Sequence, residues 1–98
     1  MNVDETLRRL SAHKNVIGVV IVNSGGNCIA TTLEPLLAKQ YASLITSLVD
    51  TARTTVRTID DQNDLTFLRV RTKQHEIMVG PSEHLDYLLI TIRNLTEG

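Results

Sequence analysis

The sequence is short of most of what marks the common functional classes. It has one cysteine, Cys28, no tryptophan, two prolines and only three aromatic side chains, Tyr41, Phe67 and Tyr87. A single thiol excludes an intramolecular disulfide and fits a reducing, cytoplasmic compartment. So few rings exclude a stacking platform for single-stranded nucleic acid. Neither sign of charge dominates: ten Lys and Arg face eleven Asp and Glu, a formal charge of −1. Nucleic acid and anionic lipid call for a basic excess, so neither is expected as a partner. Long apolar runs are missing as well. The longest, Val16 to Val22, falls far short of the roughly 20 residues that cross a bilayer, and no membrane insertion is expected. The N-terminal stretch carries Asp4 and Glu5 with no apolar run, which predicts no secretory leader.

What remains is a globular composition, 42% hydrophobic over 98 residues, and a single domain spanning residues 1–98. A chain of this size buries roughly 60–68% of its unfolded surface, so self-association is one way to add burial.

Periodicity orders the elements. Residues 4 to 13 read as a short helix capped by Asp4, with Val3, Leu7 and Leu10 on one face. Val16 to Val22, dominated by β-branched residues, reads as a buried strand. Asn23-Ser-Gly-Gly-Asn27 then turns the chain into a returning strand, Cys28 to Thr32. Glu34-Pro35 opens a long helix that runs to about Ile59. Its stripe of Leu37, Tyr41, Leu44, Ile45, Leu48, Val49, Ala52, Val56 and Ile59 falls within an arc of about 140°. The acidic turn Asp60-Asp-Gln-Asn-Asp64 is followed by three strands, Leu65 to Arg71, His75 to Val79 and Leu85 to Arg93. The fold class is α+β, in the order α-β-β-α-β-β-β.

Catalytic chemistry finds no foothold, and no enzyme activity, metal or cofactor is expected. His13, His75 and His84 lack metal-ligand spacing and read as solvated surface groups. Ser24-Gly25-Gly26 lacks the Lys-Ser/Thr of a phosphate loop and leads into a strand, not a helix. Cys28 has no neighbouring His or Arg to activate it. Asp60, Asp61 and Asp64 lack the Gly and closing Glu of a calcium loop. Asn94-Leu-Thr96 matches a glycosylation acceptor by pattern, which is void in a cytoplasmic protein.

Two surfaces stand out instead. From Gln40 to Val49 the long helix carries no charge, and Ala42, Ser47 and Thr51 stand where a solvent-flanked helix would carry Lys or Glu. The bland reading is an ordinary core helix; the sharper one is a helix buried along a second side. The strand Leu65 to Arg71, if it forms a sheet edge, offers free backbone groups to another chain, with its arginines guarding against indiscriminate pairing. A two-fold dimer would use both surfaces at once. On the sequence alone, Leu48→Asp is expected to dissociate or unfold the protein, because it buries a carboxylate.

With these residues in view, the sequence resembles the dynein light chain roadblock family along essentially its whole length. The likeness is densest in Gln40-Tyr-Ala-Ser-Leu44, Ala52-Arg53, Thr55-Val-Arg57, Ile59-Asp60, Gln62-Asn-Asp-Leu-Thr-Phe-Leu-Arg69 and Glu76-Ile-Met-Val79, and Glu5-Thr-Leu with Arg9-Leu10 fits too. The resemblance implies a five-stranded antiparallel sheet with a long helix packed on it, and a homodimer with a continuous ten-stranded sheet. Carried over by position, Tyr41, Leu44, Ile45, Leu48, Ala52 and Thr55 of the helix and Leu65, Thr66, Phe67, Leu68, Arg69, Val70 and Arg71 of the strand would form the dimer interface. The implied role is a non-catalytic motor subunit that binds the dynein intermediate chain and helps attach cargo, in the cytoplasm and on the cytoskeleton, or in a cilium or flagellum. Relatives on this fold also scaffold or regulate small GTPases, which is the alternative. Two departures bear on partner choice: Asp61 stands where a Pro is usual, and the segment Pro81-Ser-Glu-His-Leu-Asp86 is longer than is typical.

Overall fold

The side-chain oxygen of Asn2 accepts the Glu5 N–H at 3.0 Å, satisfying one of the donors that a helix start leaves open. In the computed structural model, which describes residues 2–82 and 86–95, Asn2 rather than Asp4 is therefore the cap. Helix α1 spans Val3–Ser11, and Asp4 and Glu5 occupy its first turn, where the helix dipole favours carboxylates. It ends short of His13 because the chain must turn into the sheet. Asn15 makes that turn at φ 68°, a left-handed conformation that asparagine tolerates.

Strands β1 (Val16–Asn23) and β2 (Cys28–Thr31) form the expected hairpin. The Asn23 carboxamide oxygen accepts the N–H groups of Gly25 and Asn27, both at 3.0 Å, while Gly26 takes φ 81°. Helix α2 (Pro35–Ile59) has the predicted length at both ends. The Glu34 carboxylate accepts the Leu36 and Leu37 N–H groups at 3.0 and 3.3 Å, and Pro35 fills a first-turn position that needs no donor. At the far end the Asp60 side chain accepts the Gln62 N–H at 3.0 Å, and Asp61 is an exposed residue of that turn.

Strands β3 (Leu68–Arg71), β4 (His75–Pro81) and β5 (Tyr87–Asn94) complete an antiparallel sheet in the order β2-β1-β5-β4-β3. The expected strand over Leu65 to Arg71 forms a ladder only from Leu68, opposite Val79. Asp64 lies 3.6 Å from Arg53 and 3.3 Å from Arg57, which ties the chain to α2, and Leu65 turns into the core. Pairing begins once the chain has left the helix. Leu85, the expected start of the last strand, and part of the long segment 81–86 lie outside the described residues.

Strand alternation assigns the two sheet faces. Val20, Val22, Val79, Ile90 and Ile92 meet Ala38, Ala42, Ile45 and Val49 of α2 in one core. Val19 and Ile21 point the other way and are fully buried, where α1 leans on β1 and β2. The sheet thus has a helix on each face, which matches the expected α+β class.

Candidate functional site

At 100° per residue, α2 has three distinct sides. Ala38, Ala42, Ile45 and Val49 face inward and are at most 7% exposed. About a quarter turn away, Leu37, Leu44 and Leu48 form an apolar flank, 42%, 68% and 41% exposed. The opposite flank carries Lys39, Asp50, Arg53 and Arg57. The single stripe expected from the sequence is therefore two stripes, one spent on the chain's own core and one left outside.

The outer flank is also dry in its polar members. The Thr51 hydroxyl donates to the Ser47 carbonyl at 3.1 Å, and Thr55 donates to Thr51 at 2.8 Å. Both hydroxyls are satisfied within the helix, so neither needs water or a partner. Such a surface loses little when another apolar surface covers it. At 41–68% exposure, three leucines in line along the helix leave an uncovered apolar strip on α2.

The thirteen residues expected at the interface fall into three groups. Leu44, Leu48, Thr55, Thr66, Phe67, Arg69 and Arg71 are exposed. Tyr41, Ala52, Leu65, Leu68 and Val70 are half-buried, and Tyr41, Leu65 and Leu68 pack against the core. Ile45 points into the chain's own core, because it lies one turn from Ala42 and Val49 on the inward side. Leu37 was in the sequence stripe but outside the expected interface, although its helical angle is that of Leu44 and Leu48. β3 is at the sheet edge, as the dimer reading requires, and its outward backbone groups pair with no described strand.

The charged flank of α2 borders a cleft of about 540 Å³, lined by Thr46, Asp50, Arg53, Arg57, Asp64 and Tyr87 among others. Asp64, weighed in the sequence only as part of the acidic turn, pairs with both arginines there. These pairs are open to water, so Asp64→Ala is expected to cost less than about 1 kcal/mol in urea denaturation. Among the described residues no cluster of His, Cys, Asp and Glu could hold a metal ion. No described helix is long and apolar enough to cross a membrane.

The model of the Roadblock/LC7 domain family matches residues 2–94. The chain belongs to the Roadblock/LC7 domain family. Solved roadblock structures share its fold at low identity. A Roadblock/LC7 domain from Streptomyces avermitilis is 17% identical, with 96% of this chain and 79% of that chain covered and a TM-score of 0.83. The gliding protein MglB from Thermus thermophilus is 10% identical, with 93% and 70% covered and a TM-score of 0.77. Myxococcus xanthus MglB is 15% identical, with 96% and 79% covered and a TM-score of 0.74. A further MglB structure, 11% identical, is described as having a tetrameric arrangement. At these identities the likeness is one of fold, and the roadblock assignment rests on the family match.

Proposed function

We propose that this roadblock domain is a non-catalytic interaction subunit that works as a homodimer and binds the dynein intermediate chain. The observation that carries the dimer is the outer flank of α2, where Leu37, Leu44 and Leu48 stand exposed beside internally bonded threonines. A two-fold axis would set flank against flank and β3 against β3, joining two sheets into one of ten strands. Val70 and Ile77, half-buried on the sheet face that carries α2, would gain cover in the same step, since the closest backbone approach of α2 is to β1 and β2. The intermediate chain as partner is supported by the sequence likeness through Gln62 to Arg71, and a cytoplasmic, cytoskeletal setting follows from that role.

A second reading is a scaffold or regulator of a small GTPase on the same fold. The cleft edged by Arg53 and Arg57 favours it, although both guanidinium groups already face Asp64. One experiment separates the two. Calorimetric titration of the chain with an intermediate-chain peptide is expected to show binding, with sedimentation velocity reporting a dimer. A monomer with no affinity for the peptide sinks the first reading. Binding to a GTPase that changes between its GDP and GTP states would establish the second.

A further inference from the structure

The sheet has a face that neither helix fills. Strand register places Arg69 opposite Met78, Met78 opposite Thr91, and Thr91 opposite Val19, so these residues share the face on which α1 lies. The next row along the strands is Arg71, Glu76 and Arg93. α1 covers the β1–β2 half of this face, and no other described element lies over β3 and β4. Three arginines therefore occupy a stretch of sheet that contains one carboxylate.

Glu76 does not neutralise the three. It is 8% exposed and bound to Arg93 at 2.9 Å, while Arg69 Nε approaches its other oxygen at 3.8 Å. Its two oxygens are thus taken by two guanidinium groups. Arg71 has no acidic partner among the described residues, and Lys73 extends the positive stripe into the β3–β4 turn. Arg69, Arg71 and Arg93 with Glu76 sum to +2, and Lys73 brings the patch to +3, on a chain whose formal total is −1. Arg93 Nε is shielded from solvent and has no acceptor among the described residues. A donor shut off from solvent is shut off from an incoming carboxylate as well, so what Arg93 offers a ligand is the exposed part of its guanidinium, on a side chain 39% exposed.

The shape of the face decides what can come near. α1 stands on the same face, and a helix is about 10 Å thick, so it rises beside the arginines as a wall. A flat bilayer resting on α1 is held away from charges that lie low on the sheet. A single polypeptide segment fits in the step. Phe67, half exposed, and Met78, half-buried, add apolar contact along the same face; the Phe67 ring lies 3.5 Å from the position a Cβ would take on Gly80.

We infer that the open sheet face bearing Arg69, Arg71 and Arg93 is a docking surface for an acidic polypeptide segment that alternates carboxylate and apolar side chains. This surface faces away from α2 and the proposed helix seam, although Arg69 and Arg71 lie on β3, the strand that the proposed dimer sets against its copy. The carboxylates pair with the arginines as charge-assisted hydrogen bonds, and the apolar residues cover Met78 and Phe67.

The test is a fluorescence anisotropy titration of the full chain with a labelled peptide alternating Glu and Leu. Its Lys-Leu counterpart and phosphatidylserine vesicles serve as competing ligands. Saturable binding of the Glu peptide that weakens as salt rises is expected, with no binding of the other two. Arg69→Ser with Arg71→Ser is expected to lower affinity at least about tenfold. Arg93→Lys keeps the charge beside Glu76 but replaces the planar, forked guanidinium by a single ammonium, lies away from the β3 edge, and is expected to lower affinity about threefold. Leu48 lies across the sheet from the arginines and each copy carries its own three, so a Leu48→Asp chain that sediments as a monomer is expected to keep saturable binding of the Glu peptide. Loss of all binding there would overturn the assignment to this face of a single chain. The inference is overturned by no saturation up to about 1 mM. It is equally overturned by equal affinity for the Lys peptide, by vesicle binding in place of the peptide, or by unchanged affinity in both arginine variants.

Discussion

Leu48→Asp is expected to leave the chain folded and to convert the proposed dimer to a monomer. Leu48 is 41% exposed in the single chain, so an aspartate there stays hydrated while the chain is alone. In a two-fold seam the same substitution occurs twice, and two carboxylates are drawn into an apolar contact with no cation beside them. A penalty of about 4 kcal/mol, summed over both copies, raises the dimer Kd about a thousandfold. Sedimentation velocity over a dilution series reads the dissociation, and far-UV circular dichroism reads the retained helix. A variant that stays dimeric at the wild-type Kd would falsify the placement of the seam on this flank. The sequence alone left open whether this change unfolds or dissociates the protein; the exposure of Leu48 in the single chain argues against unfolding.

Ile45→Asp, one turn earlier on the same helix, is expected to do the opposite. Ile45 is 7% exposed and sits in the core with Ala42, Val49 and the sheet residues Val20, Val22 and Ile90. The substitution removes a buried aliphatic side chain and leaves a carboxylate without a partner in the core. The combined cost is about 4 kcal/mol or more, against a total of roughly 5–15 kcal/mol for a small domain. Urea denaturation is expected to show the chain largely unfolded or its midpoint sharply lowered. Ile45→Val, which keeps the shape, is expected to cost only about 1 kcal/mol. An Ile45→Asp chain as stable as the parent would show that the residue faces outward after all.

These paired expectations mark how far the sequence was legible. Helix α2 was readable at both ends, to within about a residue at the far one, because its signals are local: a Glu-Pro start, a periodic apolar stripe and an Asp-rich stop. The hairpin was readable for the same reason, since Asn23 and Gly26 carry its turn within a few residues. The start of β3 was not. Leu65 to Phe67 alternate like a strand, but a tie between Asp64 and two arginines of α2 keeps the chain off the ladder until Leu68. Those arginines lie seven and eleven residues back along the helix, so no window on the strand itself contains them.

The family, too, was legible in the run from Gln62 to Arg71, and the match over residues 2–94 establishes it. What the family's members do is less uniform than how they fold, so the intermediate chain remains a proposal here. In the sequence Arg69 and Arg71 read only as guards of an edge strand, and nothing there joined Arg93 to them on one sheet face. Its residues come from two separate strands, and the chain's near-neutral total hides the local excess.

The sequence by itself determined the order of elements, the α+β class, the uncharged stretch of α2 and the roadblock family, because each rests on residues close together in the chain. Only the tertiary structure decided which side of α2 is spent on its own core. A helical stripe spanning about 140° is wide enough for one sheet and a second surface, and periodicity cannot divide it. The sheet does so by contact: it takes Ile45 and Val49 and leaves Leu44 and Leu48 outside.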